Sequence, residues 1–433
     1  MSNTTSIQAK NKFDNRILGK DAIWSNDSRQ NGGLNANVLV LGGSGTGKSG
    51  SYLYSNLKLL NNQSAVVCDT KGTLFNMFKD ELEAKNYKVS SINMVSPKLS
   101  TCGFNPLDYL CDSEGNISQR EIVRFSQALI PTCGQHEEPV WTQGAQGIWQ
   151  FITSYCLEAL PKEDHSISTL ISLYHALIKS SGMSAFSAFS MWINEHPNSY
   201  SAQKYYELMA NAKAEKMFSS YLGFLNNVCN TLALPELKQI FENEKLLDIR
   251  DIGRTKQVVF ITVPDTDDSL DCVCNLIYTQ IIQQLILEAD ANKDGCLEVP
   301  TTIYMDDAGN YKIPSLEKII SISRSRQLGI SLLLQSCSQL NSSYGKEKAT
   351  TIIDNMDSIV YLGSNNIETA NFIGTRAFKT LSNVLNMSRD MCYILISGMP
   401  AIQTSKIPPY SFEVEVSDDT PDELSGSEDE CCA

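Results

Sequence analysis

The stretch Asn37–Ser49, NVLVLGGSGTGKS, determines how the fold begins. An apolar strand precedes a glycine-rich loop, and a segment compatible with a helix begins at Lys48. A P-loop lies between a strand and a helix, and the sequence predicts both of these flanking elements. The residues that match its pattern G-x-x-x-x-G-K-[ST] are Gly42, Gly43, Ser44, Gly45, Thr46, Gly47, Lys48 and Ser49.

These residues predict the binding of ATP and Mg²⁺. Glycines let the backbone curl so that consecutive N–H groups face the phosphates, and the helix N-terminus adds partial positive charge. Lys48 supplies a full positive charge, and the Ser49 hydroxyl is suited to Mg²⁺. The alternative is a glycine-rich turn with an incidental lysine, which the flanking pattern disfavours.

A carboxylate at the end of a neighbouring strand is the second requirement of such a site, and TTIYMDD at 301–307 supplies it. Asp306 is predicted to hold the water shell of the metal, and Asp307 to point toward the attacking water. Acidic residues that follow a strand also occur in solvated loops, which is the alternative for this pair. The presence of Lys48 in the same chain favours the first interpretation.

Two further kinds of group follow this pair along the chain. Gln335 ends a strand predicted at Ile330–Leu334, where its amide can hydrogen-bond both the γ-phosphate and water. Arg324 and Arg326 lie on the preceding helix, where a guanidinium can complete the site of a neighbouring subunit. For either arginine alone, solvation on a helix surface explains the pattern equally well.

Apolar runs recur along the chain, most of them followed by a turn and a helical pattern, which predicts an α/β fold with a parallel, doubly wound sheet. Between residues 113 and 235 the apolar spacing is close to the helical period instead. We therefore expect an extension at 1–35, a discontinuous α/β domain at 36–112 and 236–415, and an all-helical insertion at 113–235. The strand-like runs are Asn37–Leu41, Ala65–Cys68, Val258–Val263, Thr302–Met305, Ile330–Leu334, Ile359–Leu362 and Cys392–Ile396.

The composition excludes several classes of protein. With 42% apolar and 19% charged residues, the chain resembles an ordinary globular protein. Half of its formal net charge of −14 comes from acidic residues in the last segment, 416–433, which we predict to be a disordered tail. No overall basic field is left for wrapping duplex DNA, and no apolar stretch is long enough to cross a bilayer. The 13 cysteines form no CxxC pair, which favours reduced thiols in the cytosol.

Over most of residues 36–410, several segments together resemble the coupling-protein ATPases of type IV secretion systems. The family pattern D-P-K-G corresponds to Asp69-Thr70-Lys71-Gly72, and the family pattern N-P-L to Asn105-Pro106-Leu107. The order and spacing of these patterns are preserved. The segments that carry the resemblance are GGSGTGKS, VVCDTKGTLF, FNPL, VFITVPDTDDSL and DDAGNYKIPSLEKIISISRSRQLGISLLLQSCSQL.

The resemblance implies a RecA-like motor domain that assembles as a homo-hexamer. Such a motor drives single-stranded DNA with its bound relaxase, or protein substrates, toward a secretion or conjugation channel, and its helical insertion recognises the substrate. The resemblance also implies that Lys48 binds the phosphates, Asp306 holds the metal and Gln335 senses the nucleotide. Arg324, eleven positions before Gln335, is implied to be the arginine finger.

The sequence also departs from the family. Asp307 stands where the family pattern has Glu, so a shorter carboxylate must act on the attacking water from farther back. Most members begin with transmembrane helices, whereas this sequence contains none. We therefore expect a cytoplasmic protein, held at the inner face of the membrane by a membrane-anchor protein or by the channel itself.

Two alternatives stay open for the function. The first is a docking platform that binds nucleotide but is hydrolytically weak because of Asp307. The second is a double-stranded DNA translocase of the chromosome-segregation type, which the helical insertion disfavours.

Overall fold

A computed structural model describes residues 13–112, 114–130, 139–179, 186–212, 214–264 and 268–411. The predicted acidic tail at 416–433 lies outside these residues. Each of the seven strand-like runs overlaps an observed strand. The described strands are β1 (Asn15–Gly19), β2 (Ala22–Ser25), β3 (Val38–Leu41), β4 (Ser64–Cys68), β5 (Lys88–Asn93), β6 (Gln257–Thr262), β7 (Thr301–Met305), β8 (Leu328–Leu334), β9 (Ser358–Tyr361), β10 (Met391–Ile396) and β11 (Ile402–Ser405).

Nine of these strands form one sheet in the order β11-β10-β9-β3-β8-β7-β4-β6-β5. From β9 to β5 all neighbours are parallel, while β10 and β11 extend the sheet in antiparallel pairing. The predicted α/β fold with a mostly parallel sheet is confirmed. Because β3, β8 and β7 are consecutive and parallel, their carboxyl ends meet at one edge of the sheet.

Both faces of the sheet are buried, since successive residues of a strand point to opposite sides. In β3, Leu39 and Leu41 belong to the core on one face, and Val38 and Val40 to the core on the other. The strands therefore consist of continuous apolar runs, as expected for a parallel sheet covered by helices on both faces.

Helices cover both faces of this sheet. In the described residues no helix is long and apolar enough to span a membrane. The helices are α1 (Tyr54–Leu59), α2 (Leu74–Ala84), α3 (Gln119–Leu129), α4 (Pro139–Ala159), α5 (Ile167–Ile178), α6 (Ser190–Glu195), α7 (Tyr200–Ala212), α8 (Glu215–Leu232), α9 (Pro235–Phe241), α10 (Asp271–Ala291), α11 (Leu316–Ser323), α12 (Cys337–Tyr344), α13 (Lys346–Asp354), α14 (Ile367–Ala377) and α15 (Leu381–Leu385).

Four strands escape the sequence analysis because they are polar or short. The sequence of β5 is KVSSIN, and its serines Ser90 and Ser91 are buried although they are polar. Strands β1 and β2 form an antiparallel hairpin that packs Leu18 and Ala22 into the core that also contains Val38 and Val40. The described part of the segment predicted as an extension is therefore packed against the sheet.

The connection between β5 and β6 contains the segment predicted as a helical insertion. Within 113–235 the described residues form helices α3 to α8 and their connecting turns. Phe151 of α4 is fully buried among these helices. The centroid of its ring lies 5.2 Å from that of Phe189 and 5.9 Å from that of Tyr205. These side chains belong to the same apolar core as the first face of the sheet, so the insertion and the sheet share one core.

This shared core predicts that a cavity in the insertion destabilises the protein as a whole. Replacing Phe151 by Ala should lower the free energy of unfolding by about 3–5 kcal/mol, because the removed ring leaves a void among aromatic neighbours. Urea unfolding followed by tryptophan fluorescence measures the change. Phe224→Ala is the matched control, since this phenylalanine is 38% exposed. Equal losses in the two variants would contradict the shared core.

Candidate nucleotide-binding site

The P-loop curls tightly between β3 and its helix. Gly45 and Gly47 adopt φ values of +71° and +104°, in the left-handed region that favours glycine. A Cβ atom on Gly47 would lie 2.5 Å from the Ser51 hydroxyl, so a larger residue would also have to displace this side chain. The Thr46 hydroxyl donates to the Gly43 carbonyl at 2.8 Å, which fixes the curl from inside. The loop is thus preformed.

The first residues of the loop are joined to neighbouring strands. The Gly42 N–H donates to the Leu334 carbonyl at 3.0 Å, and the Gly43 N–H to the Gly363 carbonyl at 2.8 Å. These bonds hold the loop above the carboxyl ends of β8 and β9. Ser44 and Gly45 form the exposed tip.

Lys48 and Ser49 begin the helix after the loop, with one π-helical turn at Lys48–Leu53 before α1. The buried Lys48 ammonium donates to the Gly42 carbonyl at 2.8 Å and to the Gly43 carbonyl at 3.4 Å. The Ser49 hydroxyl donates to the Asp306 carboxylate at 2.5 Å. Because hydroxyl and carboxylate oxygens suit Mg²⁺, these two residues fit a magnesium site beside the phosphate loop.

Asp306 is 5% exposed at the end of β7. Burial raises the pKa of its carboxyl and the charge of Asp307 adds to the rise, while the Ser49 hydroxyl, the nearby Lys48 charge and the Asp307 N–H oppose it. The Asp307 N–H donates to Asp306 at 3.1 Å. Asp307 has a φ of +48°, in the left-handed region that Asp tolerates better than most residues.

Gln335 follows β8 and is exposed at the same edge, between the strands that carry the P-loop and Asp306. Its backbone N–H donates to the Gln339 side chain at 2.7 Å, and its carbonyl accepts from the Ser364 hydroxyl at 3.4 Å. These bonds hold the backbone of Gln335 in place, while its exposed side chain lies at the surface of the site.

Helix α12 connects Gln335 to the loop after Asp307. Gln339 packs on Gly309, where a Cβ atom would lie 2.8 Å from the Gln339 Cβ. The Ser343 hydroxyl donates to the Gly309 carbonyl at 2.6 Å, and the Tyr344 hydroxyl to the Tyr311 carbonyl at 3.0 Å. Sequence reasoning misses Gln339 and Ser343, because only their helical spacing from Gln335 hints at a position near the site.

Lys406, also missed, follows β11 and lies against the P-loop. Its ammonium donates to the Thr46 carbonyl at 2.9 Å and to the Leu362 carbonyl at 2.6 Å. Burial lowers the pKa of this lysine. A cation thus joins the far end of the chain to the phosphate loop.

Arg324 and Arg326 lie at the amino ends of the parallel strands, opposite the carboxyl ends that meet the P-loop. They form a short 3-10 turn between α11 and the amino end of β8, whereas the P-loop meets the carboxyl end of β8. A strand of this length spans roughly 20 Å, so neither arginine approaches the P-loop of its own chain. The exposed Arg324 donates to the Gly33 carbonyl at 2.7 Å, and Arg326 pairs with Asp290 at 2.8 Å.

Comparison with solved structures gives strong matches at low sequence identity. The conjugative coupling protein TrwBdeltaN70 in its unbound form matches with a TM-score of 0.65 and 16% identity, over 86% of this chain and 84% of that chain. TrwB in complex with ADP and Mg²⁺ matches with a TM-score of 0.65 and 16% identity, over 87% and 86%. VirB4 of Thermoanaerobacter pseudethanolicus matches with a TM-score of 0.53 and 14% identity, over 90% and 95%. These likenesses establish the RecA-like fold.

The curated proteins contain no significant match to this chain. The family model described as type IV secretory system conjugative DNA transfer matches residues 1–389, which cover the hairpin, the P-loop, the insertion and most of the sheet. The resemblance seen in the sequence motifs is thereby confirmed. The chain belongs to the type IV secretory system family for conjugative DNA transfer.

Proposed function

We propose that this protein is a coupling protein that binds ATP with Mg²⁺ and uses ATP hydrolysis to drive conjugative transfer. The observation that carries the proposal is the direct contact between the Ser49 hydroxyl and the Asp306 carboxylate beside the P-loop. Ser49 and Asp306 would hold Mg²⁺ there, and the metal would supply positive charge that stabilises the departing γ-phosphoryl group. The solved complex of TrwB with ADP and Mg²⁺ supports this assignment.

The chain's own residues have distinct roles in this proposal. Lys48 exchanges its two backbone carbonyl partners for phosphate oxygens, an interaction that its burial strengthens. Asp307 accepts a hydrogen bond from the attacking water and orients it. Gln335 follows β8, the strand between those that lead to the P-loop and to Asp306. Its side-chain amide would hydrogen-bond the γ-phosphate and the attacking water, and would thereby report hydrolysis to the rest of the protein.

A ring of six copies is part of the same proposal. Each chain carries its P-loop at one edge of the sheet and Arg324 at the other, so an arginine that stabilises transition-state charge must come from a neighbouring copy. A ring in which the two edges meet satisfies this requirement. The exposure of Arg324 supports it.

The cargo in this proposal is single-stranded DNA with its bound relaxase, or a protein substrate, recognised by the helical insertion. Large apolar side chains on its surface support this role, among them Met191, 76% exposed, and Tyr206, 50% exposed. We also place the protein at the cytoplasmic face of the membrane, next to channel or membrane-anchor proteins, because the matching family belongs to a type IV secretory system.

A docking platform is the second candidate, and Asp307 is the observation that favours it. A carboxylate one methylene shorter than Glu reaches less far toward the water, and small misplacements of a catalytic group cost rate steeply. A chain with slow turnover would still bind nucleotide and gather substrates.

Measuring ATP hydrolysis with and without single-stranded DNA distinguishes the two candidates. The parent should hydrolyse ATP and should be stimulated by DNA. Lys48→Ala should lower the rate roughly 100-fold to 1,000-fold, because it removes a charge that the transition state needs. If the parent is as slow as Lys48→Ala while Asp307→Glu turns over, the docking platform is correct.

Gln339 should act as a positioning residue for Gln335. Gln339→Ala removes the acceptor of the Gln335 N–H, so kcat should fall roughly 10-fold to 100-fold. The dissociation constant for ATP, measured by calorimetry, should stay within about twofold, since the phosphate contacts are unchanged. The control is Gln203→Ala, an exposed glutamine on α7 that bonds Glu207. A parallel loss of ATP affinity would show that Gln339 only maintains the fold.

Mixing two inactive variants tests whether Arg324 acts in a neighbouring copy. Arg324→Ala and Lys48→Ala should each abolish hydrolysis alone, yet a mixture should regain activity wherever an intact P-loop meets an intact arginine. Arg326→Ala is the control, since this arginine pairs with Asp290 of its own chain. No recovery at any mixing ratio would remove Arg324 from the site.

A further inference from the structure

The segment after β11 returns across the first turn of the P-loop helix. The Tyr410 N–H donates to the Gly50 carbonyl at 3.0 Å. A Cβ atom on Gly50 would lie 3.0 Å from the Pro409 Cβ and 3.1 Å from the Tyr410 ring. Together with the Lys406 contact to Thr46, these contacts hold the segment directly beside the phosphate loop.

Tyr410 presents an aromatic ring to solvent at this point. The side chain is 51% exposed, and its ring meets that of Tyr54 edge-on, with centroids 5.6 Å apart. Its φ of +57° is uncommon for a bulky residue, and such a conformation persists only where the surroundings determine it. The ring is therefore held at a defined place on the helix.

That place is next to the path of a bound nucleotide. In a P-loop the lysine contacts the β- and γ-phosphates and the Ser/Thr hydroxyl contacts the metal, so Lys48 and Ser49 would have these roles here. The α-phosphate and the nucleoside attached to it must then lie farther along, at Gly50 and the first helical turn. Pro409 and Tyr410 cover this residue.

We propose that Pro409 and Tyr410 form the nucleoside wall of the site, with the Tyr410 ring stacking on the base. The inference rests on the proposed ATP binding and names the group that receives the base. Every nucleobase has a π-face, so stacking tolerates different bases. The wall therefore predicts that ATP and GTP bind with similar affinity.

A comparison of probes with and without a base tests the wall. Calorimetry with Mg²⁺ compares ATP, GTP and inorganic tripolyphosphate on the parent, Tyr410→Ala and Tyr410→Phe. Tyr410→Ala should weaken ATP and GTP roughly 10-fold, as expected from the loss of one stacked base, and leave tripolyphosphate unchanged. Tyr410→Phe should keep the parent affinities, since it keeps the ring.

Phe378→Ala is the matched control: this aromatic residue after α14 is exposed and has a φ of +55°, and the variant should bind all three probes as the parent does. Unchanged ATP affinity in Tyr410→Ala would overturn the wall while the proposed ATP binding stands. Equal weakening of ATP and tripolyphosphate would also overturn it, because the segment would then only support the loop. A parent that binds none of the probes would overturn the proposed function and the wall together.

Discussion

The Asp306 carboxylate is buried at the end of β7, where the Ser49 hydroxyl and the Asp307 N–H donate to it. A buried charge without partners is costly, and here the partners come from the P-loop helix and from the next residue of the chain. The nearby Lys48 ammonium further favours the ionised form. Phosphate loop and acidic strand end therefore stabilise one another, and a change to either affects both.

The position of β8 makes this contact possible. It pairs in parallel with β3 on one side and with β7 on the other, so the P-loop, Gln335 and Asp306 end at a common edge. Side chains of α12 hydrogen-bond the loop after Asp307 at this edge, and Lys406 hydrogen-bonds the P-loop. Packed interiors have low compressibility and transmit strain, so a displacement at this edge would reach the elements that pack against it.

Two features connect this edge to more distant parts of the molecule. Arg324 lies at the amino end of β8, at the opposite end of this strand from Gln335. The helical insertion shares its apolar core with the first face of the sheet. The insertion and the sheet are thus connected by continuous packing rather than by a flexible linker.

The sequence by itself determined the P-loop, its flanking strand and helix, the acidic strand end and the α/β class. These features are encoded by adjacent residues: a glycine pattern, a run of apolar side chains, a carboxylate directly after a strand. Polar strands such as β5 escaped, because nothing in KVSSIN distinguishes a buried strand from a loop.

Only the tertiary structure decided which of these pieces meet. Ser49 and Asp306 are separated by 257 residues, and no local pattern specifies that their strands lie on either side of β8. The direction of β8 also separated Arg324, at its amino end, from the P-loop at its carboxyl end. The tertiary packing brought Gln339, Lys406 and Tyr410 to the carboxyl edge. The physical reason is that strand order is set by burial of both sheet faces, a property of the whole core rather than of any short segment.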